Sequence, residues 1–343
     1  MLDDTSIYPI FNHAYFKELD IKCRILTGDF FADSFNFYPI TAKNHYTFPE
    51  LFDWQNQGII KNNKFYKDSF KKIFFSDNFK YKTISNAFVI GSSAGNNYYR
   101  NIYSFLLRLF FIPDKKVTIA IHRNTSNSIR NFIKYFLSLK NIQLEKFIYL
   151  DDGFYLFKDC QIPSFFDFYN TMKIYRFIFT PTKKNQQNIY ISRRNANWRK
   201  IINEADFYSD LQKFEFEILD FETMEVKDQI KKIQTAKRII SPHGSGLTNL
   251  IFANQENKII EILNDDIEKE LKRLYFRYKR ISDYKNNSHY FFKSDTTENV
   301  DLNNNEHINR YISKEMIKQS SYYKNLILKE SEFKKLISNF CKY

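Results

Sequence analysis

Glycine is scarce in this chain, at seven residues in 343, and proline is equally rare at seven. So few breakers exclude collagen-like, Pro-rich or Gly/Ser-linker character. Cys23, Cys160 and Cys341 stand far apart and are odd in number, with no Cys-x-x-Cys and no Cys/His spacing of a zinc site. That excludes a disulfide framework and points to a reducing compartment. The longest apolar stretch, Tyr103 to Pro113, is interrupted by Arg108 and is too short to span a bilayer. The start, Met1-Leu2-Asp3-Asp4, has neither the basic nor the apolar region of a signal peptide. The expected location is the cytoplasm, with peripheral contact at the inner face of the plasma membrane left open.

Hydrophobic residues make up 43% of the chain and aromatics 18%, with 37 Phe and 24 Tyr, enough for a sizeable core. The formal charge is 52 − 39 = +13. Such a surface favours polyanions, phosphorylated ligands or anionic headgroups, or is simply a Lys-rich solvated face. No dense Arg/Lys run or nucleic-acid motif appears, so nucleic acid is not the expected partner.

Strand-like and helix-like segments alternate from residue 83. Ala87–Ile90, Val117–Ile121 and Phe147–Leu150 read as strands, Tyr98–Phe111 and Ser128–Leu139 as helices. A linker is predicted near Pro163 to Asn188. Beyond it Asn188–Ser192, Phe216–Leu219 and Arg238–Ser241 read as strands, Ala205–Lys213 and Val226–Gln234 as helices. The pattern predicts α/β architecture with parallel sheets. Residues 1–80 show no clean period, and the chain beyond 265 is polar until an amphipathic basic helix predicted over Ile312 to Phe340. That helix would pack on a domain surface or lie on a membrane.

Two of the seven glycines fall one residue apart, in Ser241-Pro242-His243-Gly244-Ser245-Gly246-Leu247-Thr248-Asn249. A strand-like run, Ala236 to Ile240, precedes them. A short helix-like run, Leu247 to Phe252, and the apolar run Lys258 to Leu263 follow. A Gly-bearing turn between strand and helix offers backbone N–H groups to a phosphate, or is only a tight turn. Arg193 and Arg194 end the strand beginning at Asn188, where a guanidinium could pair with a diphosphate; neighbours on a strand point opposite ways, so one of the two is expected there. His243 could donate to phosphate or act as base, or merely cap the turn. Gly244 and Gly246 would allow close backbone approach. Thr248 and Asn249 could cap N–H groups or touch a ligand. Glu261 could accept ribose hydroxyls or be an exposed strand residue.

At this length the motif resembles the signature of the family 61 glycosyltransferases, whose bacterial members include capsular polysaccharide biosynthesis proteins. Ile189-Tyr190-Ile191-Ser192-Arg193-Arg194, then Arg199, Asn203-Glu204 and Asp228-Gln229 fit the same pattern. The likeness is good over about residues 187–263 and patchy over about 85–165. It implies a GT-B fold, two Rossmann-like domains facing each other across a cleft. The expected division is an acceptor-side domain over residues 1–170, a nucleotide-sugar-binding domain over 188–300 and a helical tail over 301–343.

The implied activity is inverting transfer of a sugar from a nucleotide-sugar to a saccharide or lipid-linked acceptor in surface polysaccharide synthesis. The implied donor residues are Arg193, Arg194, His243, Gly244, Ser245, Gly246, Thr248, Asn249 and Glu261. No cofactor is expected. No metal is expected either, because no Asp-x-Asp pair is present: Asp151-Asp152 and Asp265-Asp266 lack that spacing.

Asn97-Tyr98-Tyr99-Arg100 matches an acceptor-side pattern that usually reads Asn-Tyr-x-His, with an acid four residues on; here those positions hold Arg100 and Ser104. Arg100 cannot act as a base near neutral pH. The base would then come from elsewhere, with His243 and Asp152 as candidates and Asp33 as a further one. Arg100 would instead favour an acidic acceptor. The same departures leave open a catalytically inactive nucleotide-sugar-binding or scaffold protein of that pathway.

Overall fold

The computed structural model describes residues 10–33, 38–40, 81–90, 96–151, 154–163, 166–180, 187–264, 275–297, 318 and 320–342. The chain divides into two compact units, Met1–Ile174 and Tyr175–Tyr343, and each is mixed α/β around its own sheet.

Among its described residues the first unit holds eight strands: β1 (Ile10–Phe16), β2 (Ile21–Asp33), β3 (Tyr38–Ile40), β4 (Tyr81–Ser85), β5 (Phe88–Val89), β6 (Lys116–His122), β7 (Gln143–Leu150) and β8 (Phe154–Pro163). Their order is β1-β2-β8-β5-β6-β7, with β3 on β2 and β4 on β8. The pairings β4–β8, β5–β8, β5–β6 and β6–β7 are parallel. β1, β2 and β3 form an antiparallel flank that the unperiodic start of the chain does not announce. The parallel centre is apolar because both faces are covered: Val89, Ile119, Ala120, Ile121 and Phe157 are fully buried.

Ser126 caps the helix Asn127–Leu139 by accepting from the Ile129 N–H at 3.3 Å. That helix buries Ile129, Phe132, Ile133, Phe136 and Leu137, one stripe at helical spacing. The predicted helix Tyr98–Phe111 is one helical run, but its winding changes along its length, loosening before it tightens. An α turn at Tyr98–Arg100 passes into a π segment at Asn101–Phe105 and then a 3-10 segment at Leu106–Phe111, before Pro113.

The stretch read as a linker contains a helix, Phe168–Ile178, directly after β8. Its Met172, Ile174 and Tyr175 are buried, so Pro163 and the polar run after Pro181 mark its surroundings and not a loop throughout.

The second unit holds β9 (Gln187–Ile191), β10 (Phe216–Leu219), β11 (Ala236–Pro242), β12 (Lys258–Asn264), β13 (Ser288–Thr296) and β14 (Leu326–Ile327), in the order β10-β9-β11-β12-β13-β14. β9 to β13 are all parallel, and β14 closes the edge antiparallel to β13. Counted from β9, the parallel order is 2-1-3-4-5. In such a sheet the connections leave β9 and β11 in opposite directions, which opens a crevice at their carboxyl ends.

Helix Arg277–Tyr284 and β13 lie beyond the predicted last strand. β13 escapes a periodicity reading because its residues, backbone included, are half-buried or exposed along Ser288–Thr296 and mix aromatic with polar types.

The carboxy-terminal helix is shorter than predicted. It runs Glu330–Lys342, and the chain before it forms a 3-10 turn, Ser321–Tyr323, and β14. Its apolar face is used inside the unit. Phe333, Ile337 and Phe340 join Tyr190, Phe207 and Ile240 in one core, with Phe333 edge-on to Phe207 at 5.0 Å. That burial takes the face a membrane-lying helix would need. Ile337→Val, which removes one buried methyl, is expected to lower stability by about 0.5–1.5 kcal/mol. Urea unfolding with an unchanged midpoint would show that this face is not packed. No helix among the described residues is long and apolar enough to cross a membrane.

Candidate active site

The crevice at the carboxyl ends of β9 and β11 is where Arg193 and the Gly-bearing turn meet. β11 ends at Pro242, the His243 N–H continues the pairing to Ile262 O at 2.6 Å, and a 3-10 helix runs over Ser245–Phe252. Arg193 follows β9 by two residues and lays its guanidinium against Gly244. A Cβ on Gly244 would sit 2.0 Å from Arg193 Nη1 and 2.5 Å from its Cζ, so the glycine is what leaves room for the cation. Gly246 is different: a Cβ there meets Ile191 Cγ2 at 3.5 Å, an ordinary contact. Gly244→Ala is therefore expected to fold but to displace Arg193, lowering affinity for a nucleoside diphosphate about tenfold, the weight of one charge-assisted hydrogen bond. Gly246→Ala should stay near wild type. Equal titrations of the two variants would remove the steric argument.

Arg194 turns the other way, to Asp220, with Nε at 3.4 Å from Oδ2 and more than half of its side chain exposed. It lines a separate pocket of about 480 Å³ with Ser192, Tyr208 and Leu219. Only Arg193 of the pair is brought to the turn. Glu204, buried, accepts from Tyr190 Oη at 2.7 Å, Ser192 Oγ at 2.6 Å and Tyr208 Oη at 2.8 Å, and so ties down the strand end that presents Arg193.

His243 and Glu261 are fully buried and joined Nδ1 to Oε1. Alternation does turn Glu261 away from Ile260 and Ile262. The other face is covered as well, so Glu261 is neither exposed nor turned to a crevice: its second oxygen accepts from His289 Nε2 at 2.8 Å. Burial pushes the Glu261 carboxyl up, but the two imidazoles outweigh it and the net direction is down. Burial holds His243 below its ordinary value, against the upward pull of Glu261. The pair is thus an ionised carboxylate and a neutral imidazole near neutral pH.

Arg199 is a further contributor that spacing alone does not single out. It is buried, sits in left-handed backbone at φ 59°, and donates from Nε to His243 O at 3.0 Å. Its guanidinium lies 4.1 Å from the centroid of the Tyr322 ring. Tyr322 and Tyr278 flank the His243 imidazole, with centroids at 5.9 and 5.3 Å. Tyr322 is supplied by the carboxy-terminal segment, a contribution no local motif could announce.

Three buried polar atoms around this one turn have no partner among the described residues: Arg193 Nε, His243 Nε2 and Thr248 Oγ1. Buried polar groups are nearly always paired, so three beside one turn point to a ligand or water they receive. Burial, then the charge of Arg199, lowers Arg193 to about 10, which leaves it cationic at neutral pH. Asn249 is buried and donates to Gln229 Oε1 at 3.4 Å, a packing role. Ser245 is half-buried at the start of the 3-10 helix.

In the first unit Asn97 acts as a helix cap: its Oδ1 accepts from the Arg100 N–H at 3.1 Å. Arg100 closes that first turn and is half-buried. Asp152 lies outside the described residues. Its neighbour Asp151 is exposed, and hydrogen bonds from Lys82 and then Arg123 hold its carboxyl down. The backbone of Asp33 ends β2, and its side chain lies outside the described residues. No group of three His, Cys, Asp or Glu side chains among the described residues is placed to hold a metal ion.

The family model for glycosyltransferase 61 matches residues 30–260. A beta-1,2-xylosyltransferase from Oryza sativa subsp. japonica is 29% identical over 76 residues, which is 22% of this chain and 14% of that relative.

Proposed function

The chain belongs to glycosyltransferase family 61, and from that premise we propose that it is a glycosyltransferase whose turn after β11 binds the diphosphate of a nucleotide-sugar. The observation that carries this reading is the pair of unpartnered buried donors, Arg193 Nε and Thr248 Oγ1, placed at the strand-order reversal between β9 and β11, with the bare His243 Nε2 beside them. Anionic groups bind at that position in open α/β sheets, and Arg193 supplies a positive charge that stays on at neutral pH. As the sugar leaves, negative charge builds on the phosphate, and a fixed cation beside it stabilises that state more than the ground state. Arg193, the first N–H groups of the Ser245–Phe252 helix and the nearby Arg199 would do this work without a divalent ion.

His243 is our candidate for the base. Its Nδ1 faces Glu261, so the ring's free lone pair is on Nε2, where a hydroxyl proton can be received. The first unit would supply the acceptor side. Arg100 there would favour an acceptor bearing a carboxylate or phosphate, such as an acidic saccharide or a lipid-linked phosphate of a surface polysaccharide.

The test is a thermal-shift series with nucleoside diphosphates and nucleotide-sugars in the presence of a chelator. A ligand that binds only the folded state at 100 times its Kd adds about 2.7 kcal/mol of stability. Stabilisation that persists with chelator supports the reading. No stabilisation by any nucleoside diphosphate overturns the donor site, and stabilisation only with a divalent ion overturns the metal-free version.

A further inference from the structure

The buried chain behind His243 does not stop at Glu261. Glu261 Oε2 accepts from His289 Nε2 at 2.8 Å, and His289 Nδ1 meets Ser282 Oγ at 2.8 Å. The three acid–base groups come from the turn after β11, from β12 and from β13, and all three side chains are fully buried. An ionised carboxylate only accepts, so both ring nitrogens that face it carry hydrogen: Nδ1 on His243 and Nε2 on His289. His289 Nδ1 then holds a lone pair, which the Ser282 hydroxyl fills.

We propose that His289 is a positioning residue: by occupying Oε2 of Glu261 and being locked in its own tautomer by Ser282, it keeps His243 with a bare Nε2 that can take a proton. This rests on the reading of His243 as the base of glycosyl transfer. In that step the acceptor O–H proton passes to His243 Nε2 and the acceptor oxygen bonds to the anomeric carbon. The bond from that carbon to the phosphate oxygen breaks, with its electron pair left on the phosphate. The imidazolium so formed faces Glu261 from β12, while Arg199 from the loop after β9 and Arg277 from the helix Arg277–Tyr284 oppose its charge. Tyr278 and Tyr322 close the ring's surroundings. By sharing Glu261, His289 weakens the carboxylate's pull on His243, so the imidazole stays neutral until the acceptor's proton arrives.

Long-range proton–nitrogen NMR on the full chain labelled with ¹⁵N-histidine reads both tautomers directly. The expected result at pH 7.5 is opposite tautomers, hydrogen on Nδ1 of His243 and on Nε2 of His289. His289→Gln, whose amide can still donate to Glu261, should leave His243 unchanged. His289→Leu should raise the pH at which His243 protonates by about one unit, the worth of one hydrogen bond to a charged group. Hydrogen on Nε2 of His243, a doubly protonated His243 at pH 7.5, or an unmoved titration in a folded His289→Leu would overturn the proposal. If His289→Leu does not fold, the wild-type tautomers and the Gln variant decide. Adding uridine diphosphate separates the two readings. Opposite tautomers with no response of His243 to the nucleotide would leave the relay standing and count against the donor site.

Discussion

Glu261→Leu is expected to be among the most damaging single changes in the second unit, lowering stability by about 2–6 kcal/mol. Leucine fills much of the volume, but it leaves the His243 and His289 N–H donors facing a hydrocarbon, at about 1–3 kcal/mol for each unsatisfied buried group. Glu261→Gln should cost less, because its amide can serve one imidazole as acceptor while the other changes tautomer. Denaturant unfolding at pH 7.5 ranks the three proteins, and a leucine variant as stable as wild type would mean that the two histidines find other partners.

The same pair sets an acid limit on stability. Unfolded His243 takes its proton near 6.5 and unfolded Glu261 near 4.5, and both take it at lower pH when folded. Between those values the unfolded chain binds more protons than the native one. The stabilisation is therefore present above about 6.5 and is lost as pH falls, first through His243 and then through Glu261. A thermal midpoint that stays level down to pH 4 would contradict this.

Arg193→Ala is expected to lower turnover of the nucleotide-sugar by about 10²–10³-fold, the usual weight of one group that stabilises developing negative charge. Stability should change little. Arg193 is half-buried, makes one hydrogen bond, to Trp198 O at 3.1 Å, and keeps Nε unpartnered, so the folded protein alone gains little from it. Arg193→Lys should fall between, since an ammonium keeps the charge but not the two-pronged geometry. Arg194→Ala is the control, because that side chain is engaged with Asp220 away from the turn. Loss of turnover in Arg194→Ala with wild-type behaviour in Arg193→Ala would reverse the assignment.

The local signals for the second sheet were strong where burial is complete on both faces. The runs ending at Ile191, Ile240 and Leu263 carry unbroken apolar residues, and a sheet covered on both sides imposes nothing else. The turn was legible for a related reason: a chain this poor in glycine places two beside one histidine. That position also carried the family likeness.

Other features depend on distant parts of the chain meeting, and no period encodes that. Of the two glycines, only Gly244 is required by close approach, and the reason is a guanidinium arriving from β9. Arg193 rather than Arg194 faces the turn because of how the strand ends. Glu261 looked like either a ribose contact or an exposed residue, since alternation says only which face a side chain takes. Whether that face is covered is decided by β13 and its His289, on a strand whose half-buried mixture of aromatic and polar residues has no clear alternation. The carboxy-terminal segment likewise read as a tail, yet it brings Tyr322 beside Arg199 and His243 and lays Phe333 on the core. Sequence by itself determined the alternating elements, the Gly-bearing turn between strand and helix, and the family. Tertiary structure decided which charged side chains converge on that turn and which become its buried support. A side chain's neighbours within a few residues fix its direction, but its electrostatic surroundings are set by elements far away in the chain, as with the Arg199 hydrogen bond to Tyr322 O at a separation of 123.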